Sequence, residues 1–95
     1  MHIITRKRLL EFAQKHPDCY NPLDSWYRIM KSRNFNNFSE IREIYPSADQ
    51  VKRLTVFNIG GNKARLIVAI HYKSHRIYIR NVLKHEEYNR GHWKE

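Results

Sequence analysis

Residues 52–83 decide the fold; they read KRLTVFNIGGNKARLIVAIHYKSHRIYIRNVL. Three stretches rich in β-branched and aromatic residues, 52–59, 65–72 and 76–83, are separated by short turn-forming segments, which predicts three consecutive strands. Connections this short join strands as antiparallel hairpins. The middle stretch is almost continuously apolar, as expected of a strand at the centre of a sheet.

The last of these strands alternates in polarity. The alternation predicts that Ile77, Ile79 and Leu83 face one side of the sheet, whereas Tyr78 and Arg80 face the other. The segment that follows, residues 84–95, is polar and aromatic, and the sequence leaves open whether its tryptophan packs this tail or contacts a partner.

The first half of the chain has helical spacing instead. Apolar residues recur three and four positions apart, with cap-type residues and prolines at the boundaries. The predicted elements are a strand over 1–5, a helix capped by Thr5 that stops at 16–18, a helix started by Asn21-Pro22 that ends near Arg33, and a shorter helix from Ser39 to Tyr45. This order predicts an α+β fold. We expect a single domain over residues 1–95, a small antiparallel sheet with the helices packed on one face.

The chain is strongly basic, with 18 Lys and Arg against 9 Asp and Glu and a net charge of +9 with His neutral. Nucleic acid, an acidic protein or an anionic membrane would each complement this charge. No apolar run approaches the roughly 18 residues of a membrane-spanning helix, and residues 1–5 lead into Arg6-Lys7-Arg8 rather than into a secretory apolar region. Cys19 is the only cysteine and has no internal disulfide partner, so we expect a reduced, cytoplasmic protein.

The charge is also segregated along the chain. Residues 1–49 hold eight Lys and Arg and six Asp and Glu, whereas residues 50–85 hold eight Lys and Arg and no acidic residue. The second half is therefore the predicted anion-binding half. Its cations are Lys52, Arg53, Lys63, Arg65, Lys73, Arg76, Arg80 and Lys84.

Residues suited to catalysis cluster where strands of this basic half begin and end. The turn Gly60-Gly61-Asn62-Lys63 leads into Arg65, and the last strand leads into Lys84-His85-Glu86-Glu87-Tyr88. In a tight meander both segments reach the same end of the sheet, so we expect Arg65 to neighbour residues 83–88. Alone, the Gly-Gly-Asn turn indicates hairpin geometry, and it lacks the spacing of a phosphate-binding P-loop.

Such a site has what RNA cleavage by internal transfer requires. The 2′-oxygen attacks the adjacent phosphate, so its proton must be accepted, the leaving 5′-oxygen must be protonated, and cations must stabilise the phosphorane. His85 suits proton transfer. Arg65, with Lys63 or Lys84, suits charge stabilisation. Tyr88 suits stacking on a base or a share in proton transfer.

Other polar residues have plainer interpretations. Arg76 and Arg80 are typical of a solvated strand face as much as of ligands. The histidines of the first 75 residues have no metal-ligand spacing with Cys19, so we predict no metal site and assign them surface or turn roles. These histidines are His2, His16, His71 and His75.

Three segments together resemble the HigB-like toxins of the RelE superfamily: Phe57 to Ile67, Ile77-Tyr78-Ile79-Arg80, and His85-Glu86-Glu87-Tyr88. Residues 1–4 and 38–49 fit this family too. The resemblance implies a RelE-like fold and an mRNA interferase, an endoribonuclease of a type II toxin–antitoxin pair that needs no metal ion or other cofactor. It implies messenger RNA in the ribosomal A site as substrate, and a helix-turn-helix, HigA-like antitoxin as inhibitor and as the only link to DNA.

The resemblance also assigns roles to residues. Arg65 matches the strand arginine of the family, and His85 and Tyr88 match its His-x-x-Tyr segment. The expected catalytic set is His85, Arg65, Tyr88 and Lys63, and the expected RNA-binding set is Lys84, Arg80, Arg76, Asn62, Lys52 and Arg53.

The sequence departs from the family pattern at three positions. Glu86 stands where the family has an alanine, Asn89 where it has an aspartate, and Lys84 where a small hydroxyl residue is common. Asn89 cannot ionise, so any proton-transfer role of the family aspartate is not filled by this residue.

Two other classes of function fit part of the pattern. A basic RNA- or ribosome-binding module without catalysis has the same composition, but there the loss of His85 or Arg65 would weaken salt-sensitive binding instead of abolishing cleavage. A DNA-binding regulator fits less well, because the basic half consists of predicted strands and neither N-terminal helix has a cation-rich face suited to the major groove.

Overall fold

The computed structural model describes residues 1–91 and Trp93. These residues form five strands and four α-helices. In chain order the elements are β1 (His2–Ile4), α1 (Lys7–Lys15), a 3-10 turn (Pro17–Cys19), α2 (Tyr20–Ser32), α3 (Phe38–Ile44), β2 (Asp49–Val51), β3 (Leu54–Ile59), β4 (Ala64–His71), β5 (Arg76–Lys84) and α4 (His85–Arg90). The predicted α+β class is confirmed.

The strands form one sheet in the order β1-β5-β4-β3-β2. Strands β2 to β5 pair consecutively and antiparallel, which confirms the predicted meander. The first strand pairs with β5 in parallel, so the sheet is mixed and not purely antiparallel. The parallel pairing places the first strand of the chain beside the last. Parallel strands need a long connection, and here it contains helices α1 to α3 and strands β2 to β4.

Helices α1, α2 and α3 cover one face of the sheet and confirm the predicted layering. Their apolar stripes meet alternate residues of β3, β4 and β5 in a single core. Phe57 lies at its centre, fully buried, with the ring of Trp26 at 5.4 Å and the ring of Tyr45 at 5.2 Å, both in edge-on geometry. We call this side of the sheet the helical face and the other side the open face.

All three predicted helix starts are wrong by one or more residues. Helix α1 begins at Lys7, with Arg6 and not Thr5 at its N-cap and without a side-chain cap hydrogen bond. Helix α2 begins at Tyr20, directly after the 3-10 turn, so Pro22 lies in its first turn rather than at its first position. Helix α3 begins at Phe38, and the side chain of Asn37, not that of Ser39, accepts a hydrogen bond from the Glu40 amide at 3.0 Å. The chain contains several cap-type residues in each region, and only the backbone conformation decides which one caps.

A β-bulge in β5 overturns the predicted alternation. Ile67 pairs with Asn81 and the next residue of β4 pairs with Ile79, so Arg80 is an extra residue without a partner of its own. An inserted residue reverses which side each later side chain faces. Val82 therefore packs into the helical core, and Leu83 belongs to the smaller apolar cluster of the open face, contrary to the prediction.

The predicted strand over 52–59 is in fact the second half of a hairpin. Lys52 and Arg53 form the turn between β2 and β3, and Lys52 has a positive φ of 57°. The segment after β5 also differs from a plain tail, because residues 85–90 form α4. No helix of residues 1–91 is long and apolar enough to cross a membrane.

Candidate active site

The Gly60–Lys63 turn and the start of α4 lie side by side at one end of the sheet. Arg65 pairs with Leu83, and Ala64 pairs with Lys84, so the predicted proximity of Arg65 and residues 83–88 is confirmed. Gly60 and Gly61 have φ values of 60° and 71°, a conformation that side-chain-bearing residues rarely adopt. The glycines thus fix the turn that brings the two segments together.

Arg65 projects onto the open face, where it is almost completely covered. Only 8% of its surface is exposed. Its guanidinium donates to the side-chain oxygen of Asn62 at 3.3 Å and to the carbonyl of Ala64 at 3.2 Å. The ring of Tyr88 lies 5.5 Å from the guanidinium carbon, at the distance of a cation–π contact.

Trp93 packs against other residues of the chain, which is one of the two alternatives that the sequence left open. Its ring stacks on Tyr88 with centroids 5.0 Å apart, and its indole nitrogen donates to the Tyr88 carbonyl at 3.0 Å. Together with Val56 and Ile67 it buries part of the open face. Tyr88 is therefore held between Trp93 and Arg65.

His85 opens instead into a separate depression of about 260 Å³, which we call the cleft. One wall is formed by the Gly60–Lys63 turn and the start of α4, and the facing wall is formed by the end of α1 and the 3-10 turn. The residues that line the cleft are Phe12, His16, Asp18, Cys19, Asn62, Lys63, Lys84, His85 and Glu86. Three of the predicted cationic or titratable residues, Lys63, Lys84 and His85, thus converge on one accessible space.

The His85 ring is oriented by the residue one helical turn later. Its Nε2 lies 3.2 Å from the amide nitrogen of Asn89. Which group donates in this contact depends on the tautomer of the ring. The other ring nitrogen, Nδ1, is buried and has no hydrogen-bond partner among the described residues.

Two further residues of the cleft, Lys63 and Cys19, lie near the carboxylate of Asp18. The ammonium of Lys63 lies 3.5 Å from the Asp18 carboxylate, in an ion pair whose two side chains are about half exposed. Burial raises the pKa of the Cys19 thiol, and the neighbouring Asp18 charge raises it further. Cys19 therefore stays protonated at neutral pH and is not suited to act as a nucleophile.

The other predicted RNA-binding residues are not brought to the cleft. Lys52, Arg53 and Arg76 lie at the opposite end of the sheet, since β5 alone spans about 25 Å from its first residue to Lys84. Arg80 lies between the two ends, at the bulge. Asn62 and Lys84 do line the cleft.

The sequence missed two residues of the cleft. His16 was interpreted as a surface or turn residue and Asp18 as part of a helix stop, and their distance from His85 along the chain gave no hint of contact. The pattern His16-Pro17-Asp18 does terminate α1, but the turn that follows also aims both side chains at the Gly60–Lys63 turn. Within residues 1–91 and Trp93, no group of three or more His, Cys, Asp or Glu side chains could hold a metal ion.

Comparison with known proteins decides the family. A family model described as HigB_toxin, the RelE-like toxic component of a toxin–antitoxin system, matches residues 19–91. The chain belongs to the HigB toxin family. Among HigB relatives, the mRNA interferase toxin HigB of Escherichia coli K12 and the mRNA interferase HigB of Shigella flexneri are each 34% identical over 92 residues, which cover 94% of this chain and 88% of the relative. The mRNA interferase HigB of Escherichia coli O6:H1 is 32% identical over 95% of this chain and 90% of its own length. The matched range of the HigB family contains every residue of the cleft except Phe12, His16 and Asp18.

Proposed function

We propose that this HigB-family toxin is an mRNA interferase that cleaves messenger RNA in the cleft. One observation carries the proposal: the imidazole of His85 shares an accessible depression with the ammonium groups of Lys63 and Lys84. Relatives that match nearly the whole chain are named mRNA interferases, which favours the same substrate here. The net charge of +9 favours a polyanionic substrate.

The proposed reaction is internal phosphoryl transfer. The ribose 2′-oxygen attacks the adjacent phosphorus while the bond from phosphorus to the 5′-oxygen breaks, so the products carry a 2′,3′-cyclic phosphate and a 5′-hydroxyl. One proton leaves the 2′-hydroxyl and one joins the 5′-oxygen, so no water is consumed. His85 exchanges one of these protons through its imidazole, and Lys63 and Lys84 stabilise the additional charge of the phosphorane.

Arg65 and Tyr88 complete the proposed catalytic set from the open face. Arg65 supplies a fixed positive charge and orients Asn62 through their hydrogen bond of 3.3 Å, so that Asn62 faces the phosphate. The hydroxyl of Tyr88 transfers the second proton, and the edge of its ring contacts a base. We propose that the phosphate lies against Asn62, the residue that both lines the cleft and contacts Arg65.

The proposal also covers where the toxin acts and what inhibits it. We infer a single domain over residues 1–95 that acts in the cytoplasm, on messenger RNA in the ribosomal A site, and that is inhibited by an acidic, helix-turn-helix antitoxin of the HigA type. Family membership in a toxin–antitoxin system supports an antitoxin. The basic charge supports an acidic partner, because opposite charges speed association. Contact with DNA is then made only through the antitoxin.

A reconstituted translation reaction tests the catalytic proposal. New messenger ends are mapped by primer extension for the wild type, His85→Gln and Lys63→Gln, with His2→Gln and Lys73→Gln as matched changes at the far end of the sheet. Parallel lanes contain a chelator or lack ribosomes. We expect discrete 5′-hydroxyl ends with the wild type and both controls, also in chelator, and at least about 100-fold slower cleavage with His85→Gln. The lane without ribosomes tests the A-site proposal.

The opposite result would favour the non-catalytic alternative. If the messenger stays intact in every wild-type lane while the protein binds RNA in a salt-sensitive manner, the chain is a binding module and the nuclease proposal fails. Circular dichroism of each variant separates loss of chemistry from loss of fold.

A further inference from the structure

Arg8 and the bulge residue Arg80 line the same two cavities at the edge of β5. Arg80 is the unpaired residue of the bulge, and β1 pairs with β5 only as far as Tyr78, so the Arg80 carbonyl has no strand partner on that side. The Arg8 guanidinium of α1 donates to this carbonyl instead. This hydrogen bond joins the side chain of Arg8 in α1 to the backbone of Arg80 in β5.

Both arginines are exposed and lack a counter-ion. Within residues 1–91 the ion pairs join Arg6 and Arg28 to Asp24 and Lys63 to Asp18. Glu11 lines the neighbouring cavity without pairing with either Arg8 or Arg80. Two like charges held together repel, and an anion between them would offset that repulsion. A phosphate fits this role because each guanidinium can donate two hydrogen bonds to its oxygens.

An aromatic pair lies in the same depression as these arginines. His71 and Tyr78 are diagonal neighbours on β4 and β5 of the open face, with ring centroids 5.0 Å apart and an interplanar angle of 74°. His71 is exposed and Tyr78 is half-buried, so ring surface is accessible. With Arg8 and Arg80 they line a cavity of about 550 Å³. Aromatic faces beside cations are the common elements of single-strand nucleic-acid sites.

The depression continues to the cleft along the edge of β5. A second cavity of about 240 Å³ shares Arg8 and Arg80 with the first, adds Lys15, and shares Phe12 with the cleft. Arg80 and Lys84 lie four positions apart on β5, a path of about 13 Å. We call the first two cavities together the edge groove. Its cations continue the cationic lining of the cleft.

We propose that the edge groove binds the single-stranded RNA that flanks the cleaved phosphate. A phosphate lies between Arg8 and Arg80, and a base stacks on the His71–Tyr78 pair. The inference rests on the proposed function, since it takes the cleft as the site of cleavage. It assigns binding roles to Arg8, His71 and Tyr78, and it makes Arg80 a flanking contact rather than part of the catalytic centre.

Oligonucleotide binding tests the edge groove independently of cleavage. In a His85→Gln background, fluorescence anisotropy measures the affinity for an RNA trimer, which fills only the cleft, and for an octamer, which reaches the groove. The variants are Arg8→Gln with Arg80→Gln, Tyr78→Ala and Tyr78→Phe, and the control is Arg33→Gln, an exposed arginine outside the groove. Cleavage of the octamer by the same variants with His85 intact is measured in parallel.

We expect effects on the octamer alone. Tyr78→Ala weakens octamer binding about tenfold, and Tyr78→Phe retains it because the stacking face remains. The double arginine variant binds the octamer with a slope of log K against log salt that is smaller by about 0.7, the value for one single-strand phosphate. Trimer binding and the Arg33→Gln control stay unchanged.

Each contrary result has a distinct meaning. If the groove variants bind the octamer like the control while the wild type cleaves RNA, the groove proposal fails and the proposed function stands. If the wild type does not cleave messenger RNA in the reconstituted translation reaction but the groove variants lose octamer affinity, the groove proposal stands and the nuclease proposal fails. If an oligoglutamate peptide displaces the octamer at equal concentration and Tyr78→Ala affects neither ligand, the groove receives an acidic peptide strand and the RNA proposal is wrong.

Discussion

At the scale of single residues, the contact of His85 with Asn89 is the most informative feature of the cleft. The side-chain amide of Asn89 lies 3.2 Å from Nε2 without adding a charge. It can therefore orient the imidazole but cannot stabilise the imidazolium as a carboxylate would.

Asn89→Asp tests this distinction. A carboxylate beside Nε2 favours the protonated ring, so we expect the limb of the pH–rate profile that belongs to His85 to move to higher pH. The direction is the same whether His85 accepts or donates the proton, because in both roles the neutral and charged forms exchange at higher pH. Single-turnover cleavage between pH 5 and 9 measures the shift. Asn34→Asp, an exposed site outside the cleft, controls for the added charge, and a limb that moves equally in both variants would contradict the prediction.

Asp18 has the opposite effect on the cleft, because it places a negative charge where the substrate phosphate is expected. Its ion pair with Lys63 is half exposed, so it adds little to stability. We expect Asp18→Asn to change the free energy of unfolding by less than about 0.5 kcal/mol and to tighten RNA binding severalfold at low salt. Asp49→Asn makes the same change of charge at the other end of the sheet. Equal effects of the two variants in an anisotropy titration would show that only net charge matters.

At the scale of elements, the cap of α3 shows what a sequence pattern leaves undecided. Both Asn37 and Ser39 are good cap residues, and the interpretation of Ser39 as the cap was wrong. Asn37 accepts from the Glu40 amide at 3.0 Å, and the Glu40 carboxylate accepts from the Asn36 amide at 2.9 Å. We expect Asn37→Ala to lower the free energy of unfolding by about 1 kcal/mol. Ser39→Ala is the matched control, and urea denaturation of both variants that gives the reverse order would contradict this assignment.

Local patterns predicted the elements whose cause is local. The apolar stripe around Trp26, the meander and the Gly60–Gly61 turn follow from spacing and from residue conformations, and each is present. The bulge at Arg80 was missed although the adjacent polar residues Arg80 and Asn81 interrupt the alternation, because a polar pair in a strand does not by itself show which residue is inserted. It became visible only from the pairing of Ile67 and its neighbour with β5. Because of this one extra residue, Leu83 lies on the open face and not on the helical face that the alternation predicts.

The candidate site was predicted only in part, because only some of its contacts have a local cause in the sequence. Arg65 and residues 83–88 are joined by strand register, which a hairpin sequence specifies, and their proximity is confirmed. His16 and Asp18 reach the cleft through packing of the α1–α2 connection against the turn, which no spacing in the sequence encodes. The roles proposed for His85, Lys63 and Tyr88 stay predictions until cleavage is measured.

At the scale of the whole molecule, the folded chain redistributes the charge that the sequence segregates. Successive strands of a meander run in opposite directions, so cations that are close in sequence reach opposite ends of the sheet. Lys63 and Lys84 reach the cleft, while Lys52, Arg53 and Arg76 lie at the far end. The excess charge therefore surrounds the molecule and is expected to speed its association with RNA from many directions, whereas the cleft and the edge groove decide where the RNA is held.

The stability of the whole domain is expected to fall in alkali through two tyrosines of the helical core. Burial raises the pKa of Tyr45 and of Tyr72 above the ordinary value of 10.0. The unfolded chain then loses these protons at lower pH than the folded one, so their contribution to stability is complete below pH 10 and is lost as the pH rises through the folded-state pKa values. Lysines titrate in the same range and affect every variant alike.

We therefore expect the free energies of unfolding of the wild type and of a Tyr45→Phe, Tyr72→Phe double variant to differ by a constant up to about pH 9, and the wild type to lose more stability above it. Urea denaturation from pH 7 to 11 measures both curves, with exposed Tyr20→Phe as control. Parallel curves across this range would mean that the two hydroxyls ionise as freely in the folded core as in water.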